Sequence, residues 1–170
     1  ATVADTLCDP AVEEPVSAQP IDPPTLAMTF SVNDSPLAGR EGDKVTSRMI
    51  GNRLMRESEG NVAIKVKETD ARDAYEVSGR GELQLGVLVE TMRREGFEVS
   101  ISRPRVLYRQ DADGQRLEPI EEAVVDVDEE FTGVVVEKMA QRKAELTEMR
   151  QSGAGKSRLV FHAPSRGLIG

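Results

Sequence analysis

From residue 26 onward the chain switches repeatedly between two hydrophobic periods. LAMTFSVND (26–34) sets Leu26, Met28, Phe30 and Val32 on one side, the period-two signature of a half-buried strand. KVTSRMIGNRLMRESE (44–59) changes to helical spacing, with Val45, Met49, Ile50 and Leu54 on one stripe and Asp43 placed to cap it. Gly51 costs that helix about 1 kcal/mol relative to alanine, and Gly60-Asn61 ends it. VAIKVKE (62–68) and AYEVSG (74–79) read as strands joined by the polar turn TDARD. ELQLGVLVETMRREG (82–96) reads as a helix with Leu85, Leu88, Val89 and Met92 inward and Gly96 at its stop, and FEVSIS (97–102) alternates again. The order is β-α-β-β-α-β, the ferredoxin-like arrangement of a four-stranded antiparallel sheet with two helices on one face.

A second unit follows. Asp113-Gly114 marks a tight turn, and EPIEEAVVDVD (118–128) is a strand with Ile120, Ala123 and Val125 or Val127 buried. The acids Asp128, Glu129 and Glu130 sit where a helix N-terminus favours negative charge. FTGVVVEKMAQRK continues as a helix with Phe131, Val135 and Met139 inward. AELTEMRQ fits a helix extension or a strand, SRLVFHA is a strand, and PSRGLIG starts a helix at Ser165. The pattern is β-α-(β)-β, an incomplete second module, so the expected class is α+β with two ferredoxin-like modules, the second truncated.

Residues 1–25 carry five prolines and few large apolar groups, the composition of an extended linker. The chain begins without Met, as a fragment of a longer protein would. Its net charge of −8 is unevenly spread. Residues 1–25 hold five acids and no Lys or Arg, whereas 26–104 carry a net −1 and 105–170 a net −2. Nonspecific attraction to nucleic acid through net charge is therefore not expected, although local basic faces remain open. With one Cys (Cys8) and one His (His162), the chain has no internal disulfide and no all-Cys zinc site. No apolar run approaches the roughly 18 residues of a membrane span, so no membrane association is expected.

The motifs that suggest chemistry fail on spacing. GAGKS (153–157) ends like a phosphate-binding loop, but the early glycine of that loop would fall at Arg150, and a strand rather than a helix follows. A Gly/Ser hairpin tip carrying an exposed lysine is the simpler reading. SGRGELQLG (78–86) has Gly79 and Gly81, yet the third glycine of a dinucleotide fingerprint would be Gln84, so a tight turn is expected. Asp126, Asp128, Glu130 and Glu137 imitate a calcium loop, but Phe131 stands at its obligatory glycine. His162 is expected to be a partly buried, hydrogen-bonded side chain. No catalytic, cofactor or metal site is assigned. The arginines are more suggestive: Arg40, Arg48, Arg53, Arg56, Arg80, Arg93, Arg94, Arg103 and Arg105 could build basic faces for phosphate, or could be spent in ion pairs such as Arg53 with Glu57.

The stretches MTFSVNDSPLAGREGDKVTSR, VSGRGELQLGVLVETMRREGFEVSISRP and FHAPSRGLIG resemble the TypA/BipA family of translational GTPases, relatives of elongation factor G. The resemblance implies that 1–25 are the end of a β-barrel domain and a linker, with ATVADTLCDP as its last strand, that 26–104 are a ferredoxin-like domain III, and that 105–170 are the first part of a domain V. AELTEMRQ then becomes a strand and SGAGKS a hairpin tip. One departure is Gln84, where the family's GELHL has His. The resemblance further implies a cytoplasmic parent protein that binds the ribosome and hydrolyses GTP, with roles in stress response and large-subunit assembly. GTP and Mg would belong to a domain outside this stretch, and this stretch would couple that GTP-binding domain to ribosomal RNA and proteins. Arg40, Lys44, Arg48 and Arg80 are the expected ribosome contacts, since loops and exposed cations suit phosphate. Self-association through the incomplete second module is also expected. Two alternatives remain: a ferredoxin-like small-molecule-binding regulatory module using a cleft at SGRG, and an RNA-recognition motif, for which Tyr75 and Phe30 alone offer a thin aromatic platform.

Overall fold

Phe30 has no exposed surface, and what surrounds it explains the first unit. It lies in β1 (Leu26–Val32), opposite Tyr75 of β3 (Ala74–Gly79) and Ile101 of β4 (Val99–Ile101). β2 (Lys65–Glu68) completes the order β2-β3-β1-β4 through antiparallel pairs. Period-two alternation turns Met28, Phe30 and Val77 toward α1 (Ser47–Gly60) and α2 (Glu82–Arg94), which contribute Ile50, Leu54, Leu85, Leu88 and Met92 to one aliphatic core. Burying a Phe or Leu side chain contributes roughly 1.5–3 kcal/mol, so this cluster dominates the unit's stability. The computed structural model describes residues 5–14, 16–17, 21–71 and 73–170. Residues 1–4 of the expected barrel strand, 15 and 18–20 of the linker, and 72 of the TDARD turn lie outside them.

The ferredoxin-like order of 26–104 stands as expected, with corrections in detail. α1 is capped by Thr46, not Asp43: the Thr46 hydroxyl accepts from the Met49 amide at 3.4 Å. The helix cannot begin at Lys44 because that residue is committed elsewhere. Its N–H donates to Gly96 O at 3.1 Å, and its carbonyl accepts from Glu98 N at 3.3 Å. Met49 is exposed, and Gly51 takes the inward place on the stripe. A Cβ on Gly51 would meet the Tyr75 hydroxyl oxygen at 2.3 Å, so the glycine that weakens the helix also lets Tyr75 reach Ser47. α2 ends in a Schellman motif, with Gly96 at φ +84°, Phe97 N donating to Met92 O and Gly96 N to Arg93 O, both at 3.0 Å. The strand expected at 62–68 begins only at Lys65, because Asn61 first makes a turn with Ile64. Asp5–Asp9, the described start of the expected barrel strand, has no regular structure; a strand needs a ladder partner, and none is present there among the described residues.

The chain divides into two units, the first ending at Arg105, which opens the two-residue strand β5 (Arg105–Val106); β5 pairs with β1, so the first sheet has five strands where four were expected. The second begins with a small ribbon, β6 (Arg109–Gln110) and β7 (Arg116–Leu117), turned by Asp111–Gly114. The Arg116 guanidinium lies 3.6 Å from the centre of the Tyr108 ring. Then come β8 (Ile120–Asp128), a single 3₁₀ turn at Glu129–Phe131, α3 (Thr132–Gln141), β9 (Glu145–Gly153), β10 (Lys156–Pro164) and the short α4 (Ser165–Leu168). The sheet order is β8-β10-β9, all antiparallel. AELTEMRQ is therefore strand. Only β10, flanked on both sides, buries a run: Leu159, Val160, Phe161 and Ala163. Ile120 and Phe131, expected inward, are exposed. On β8 the residues Ala123, Val125 and Val127 face the covered side, which sends Ile120 to the other. His162 is likewise exposed rather than partly buried, because it alternates away from Phe161 and Ala163.

Candidate functional site

The register of β1 separates the four expected contact residues into two groups. Leu26 pairs with Gly79, so Arg80 lies just past the sheet at the start of β1. Arg40, Lys44 and Arg48 follow Val32 and lie at the other end, about 20 Å away for a seven-residue strand. At that end the loop 33–46 leads into α1, and the C-terminus of α2 arrives beside it.

The cations there differ in availability. Arg40 and Arg48 are exposed and carry no ion pair among the described residues. Lys44 is half-buried: its ammonium donates to the Glu95 carbonyl at 2.6 Å and sits 4.9 Å from the Phe97 ring centre. That places a cation at the negative end of α2. Arg53 is spent internally, donating to both Glu95 oxygens at 2.6 and 2.9 Å and to Glu57 at 2.8 Å. The hydrogen bond from Arg53 holds the Glu95 carboxyl below its ordinary range. Glu90 is bound by Arg93 and then Arg94, which pull it down to about 2. Arg105 is paired with Glu76. Of the arginines that the sequence singles out, those left without a carboxylate among the described residues are thus Arg40, Arg48, Arg56 and Arg103. Arg48, Asn52 and Arg56 recur at four-residue spacing on the exposed side of α1. The Arg53–Glu57 pair expected from the sequence is present, and the Glu90 pairs with Arg93 and Arg94 are equally local, whereas the pairs with Glu95 and Glu76 leave no local trace because those residues are distant in sequence.

At the opposite end, Arg80 donates to Asp22 at 2.6 Å, so the N-terminal segment already supplies it with a counter-ion. The SGRG turn is closed rather than open to a ligand. The Arg80 amide donates to Gln84 Oε1 at 2.8 Å, Gly79 O accepts from Thr25 N, and Arg80 O accepts from the Thr25 hydroxyl. Gln84, the departure from the family pattern, therefore caps this turn. Beside α2, an open groove of about 490 Å³ is lined by Met28, Leu83, Gly86, Val89, Ile101 and Pro104 together with Glu82 and Glu90.

GAGKS is the tip of the β9–β10 hairpin. Ala154 and Gly155 both have positive φ (52° and 72°), as a two-residue hairpin loop requires, and Lys156 pairs with Asp128 at 3.2 Å. Asp126 is taken by Arg158, so the calcium-like spacing is spent on cross-strand pairs. Lys156 thus closes a hairpin and is engaged by a cross-strand carboxylate. No group of three His, Cys, Asp or Glu side chains able to hold a metal occurs among the described residues, and no helix there is long and apolar enough to cross a membrane.

Residues 115–170 match the family profile "Elongation factor G C-terminus". The chain is similar to "Large ribosomal subunit assembly factor BipA" of Salmonella typhimurium, at 49% identity over 168 residues, which cover 99% of this chain and 28% of that protein. The Bacillus subtilis protein of the same name is also 49% identical, over 99% of this chain and 27% of that one. The chain therefore spans little more than a quarter of the curated relatives it matches. A crystal structure of a Thermus thermophilus protein aligns with a TM-score of 0.49 at 13% identity, covering 89% of this chain and 38% of that one.

Proposed function

This chain belongs to the TypA/BipA family of elongation-factor-G relatives, and from that premise we propose that it is the docking and coupling portion of a ribosome-binding GTPase. In this reading, 1–25 end a barrel domain and form a linker, 26–104 are domain III, and 105–170 are the first part of domain V. GTP and Mg are bound by a separate domain, and this portion couples that domain to ribosomal RNA and protein in the cytoplasm. The chemistry of nucleotide hydrolysis is not carried by its own residues.

The observation that supports this best is the grouping of Arg40, Lys44 and Arg48 at one end of the first sheet, the two arginines without a carboxylate partner among the described residues. A solvated, unpaired arginine costs little to bring to a phosphate, where its planar fork donates two parallel hydrogen bonds. Arg80 is the weaker contact, since Asp22 must first be displaced. The test is charge reversal at Arg40, Lys44, Arg48 and Arg80 in the whole protein, read by co-sedimentation with ribosomes. Affinity is expected to fall at least tenfold, with R80E alone giving the smallest loss. Unchanged binding in the fourfold variant overturns the assignment.

The exposed apolar residues of the second unit support self-association when this portion stands alone. Ile120 and Val124 lie on one face of the edge strand β8, 59% and 51% exposed.

A further inference from the structure

Glu98 is half-buried and has no Lys or Arg partner among the described residues, yet its carboxylate is crowded with donors. Asn33 Nδ2 donates to Oε1 at 2.5 Å. The Gly39 and Glu41 amides donate to Oε2 at 2.9 and 3.3 Å, and the Gly42 amide adds a further bond. These donors come from both ends of the loop that leaves β1. Asn33 extends the network, since its Oδ1 accepts from Ser35 N at 3.1 Å, and Ser35 Oγ accepts from Leu37 N at 3.2 Å. The loop is thus tied to one anionic centre supplied by a residue far downstream in the chain.

We propose that Glu98 is the positioning residue of this loop, fixing the backbone on both sides of Arg40 so that its guanidinium is presented to an RNA phosphate. This rests on the docking reading above. Arg40 lies between two residues whose amides are held by a single carboxylate oxygen, so its Cα has little freedom while its side chain stays in solvent. The arrangement also resolves an electrostatic conflict. A free carboxylate near an arginine would form an ion pair and withhold it from phosphate, but here the lone pairs of Glu98 are filled by neutral N–H groups. Burial raises the Glu98 carboxyl, and the hydrogen bonds from Asn33, Gly39, Glu41 and Gly42 together outweigh it, leaving the group ionised below its ordinary range. Pre-ordering a contact loop in this way reduces the ordering cost of association.

The test combines amide hydrogen exchange with ribosome co-sedimentation on the whole protein, using E98A, E98Q, N33A, R40A and R40A/E98A. Exchange at Gly39 and Glu41 should rise about tenfold or more in E98A, as expected when hydrogen bonds to a charged group are lost. E98Q keeps one acceptor oxygen and should fall between E98A and the parent; N33A removes a single arm and should have a smaller effect. Exchange in β1 and β3 should be unchanged, which separates loop release from unfolding. Ribosome affinity of E98A should fall toward that of R40A, and R40A/E98A should be no weaker than R40A alone. Unchanged exchange at Gly39 and Glu41 in both E98A and N33A overturns the clamp. Faster exchange with full ribosome affinity in E98A, while R40A binds weakly, overturns the positioning role. If R40A itself binds ribosomes normally, the docking role of Arg40 fails, and with it the positioning claim, while the exchange data still report whether the clamp exists.

Discussion

Gly51 is the residue whose sequence cost and structural purpose are most plainly opposed. Alanine there should gain about 1 kcal/mol in helix propensity, yet its Cβ would lie 2.3 Å from the Tyr75 hydroxyl. Overpacking of this kind costs roughly 1–3 kcal/mol, so G51A is expected to lower the urea midpoint of the first unit, and Y75F, which removes the nearest atom, should restore part of the loss. The carboxylates give a pH prediction with a definite sign. Glu95 and Glu98 titrate below their ordinary range when folded, and Glu90 is pulled to about 2 from 4.5. The unfolded chain therefore binds more protons as pH falls through this window, and the stability these groups supply is present above about pH 5 and lost toward pH 2. Urea midpoints measured from pH 7 to pH 3 should fall on the acid side. E95Q should lower the midpoint at pH 7 and reduce that acid loss, because it removes the partner of Arg53.

At the scale of elements, periodicity made β1, β3 and α2 legible because each has one side buried against a single core. It misled where both sides of an element share the same character. On β8 the apolar residues occur on both faces, so Ile120 reads as inward as Ala123, and only the alternating burial, with Ala123, Val125 and Val127 half-buried and Ile120 exposed, shows that it is not. The cap of α1 falls at Thr46 and not at Asp43 because Lys44 is held by Gly96 and Glu98, contacts that are remote in sequence and leave no local trace. The same holds for the candidate surface. Arg40 and Arg48 can be named from the sequence, but their lack of a carboxylate partner among the described residues, the capture of Arg80 by Asp22 and the Glu98 clamp are all tertiary facts. Gln84 was visible four residues after Arg80, and that spacing was the one local signal of its capping role. Edge placement of β8 gives a further expectation: I120K/V124K should shift sedimentation of the isolated chain toward monomer without lowering its unfolding midpoint, since both side chains are already exposed. Sedimentation identical to the parent chain would remove self-association through that face.

For the whole molecule, the uneven charge matters more than its sum. Most of the net −8 lies in the N-terminal segment, so the first sheet can present unpaired arginines although the chain is acidic. If this portion docks on ribosomal RNA as proposed, the attraction is local, carried by a few phosphate contacts rather than by a general field. Local contacts of this kind leave a measurable signature, because each neutralised phosphate releases counterions and adds about 0.7–0.9 to the slope of log affinity against log salt. The most direct measurement is therefore the salt dependence of ribosome binding by the whole protein and by its R40E/K44E/R48E variant. Docking through this end of the sheet predicts weaker binding and a slope shallower by roughly 2 to 3 in the variant. Identical affinity and identical slope in the two proteins would contradict it.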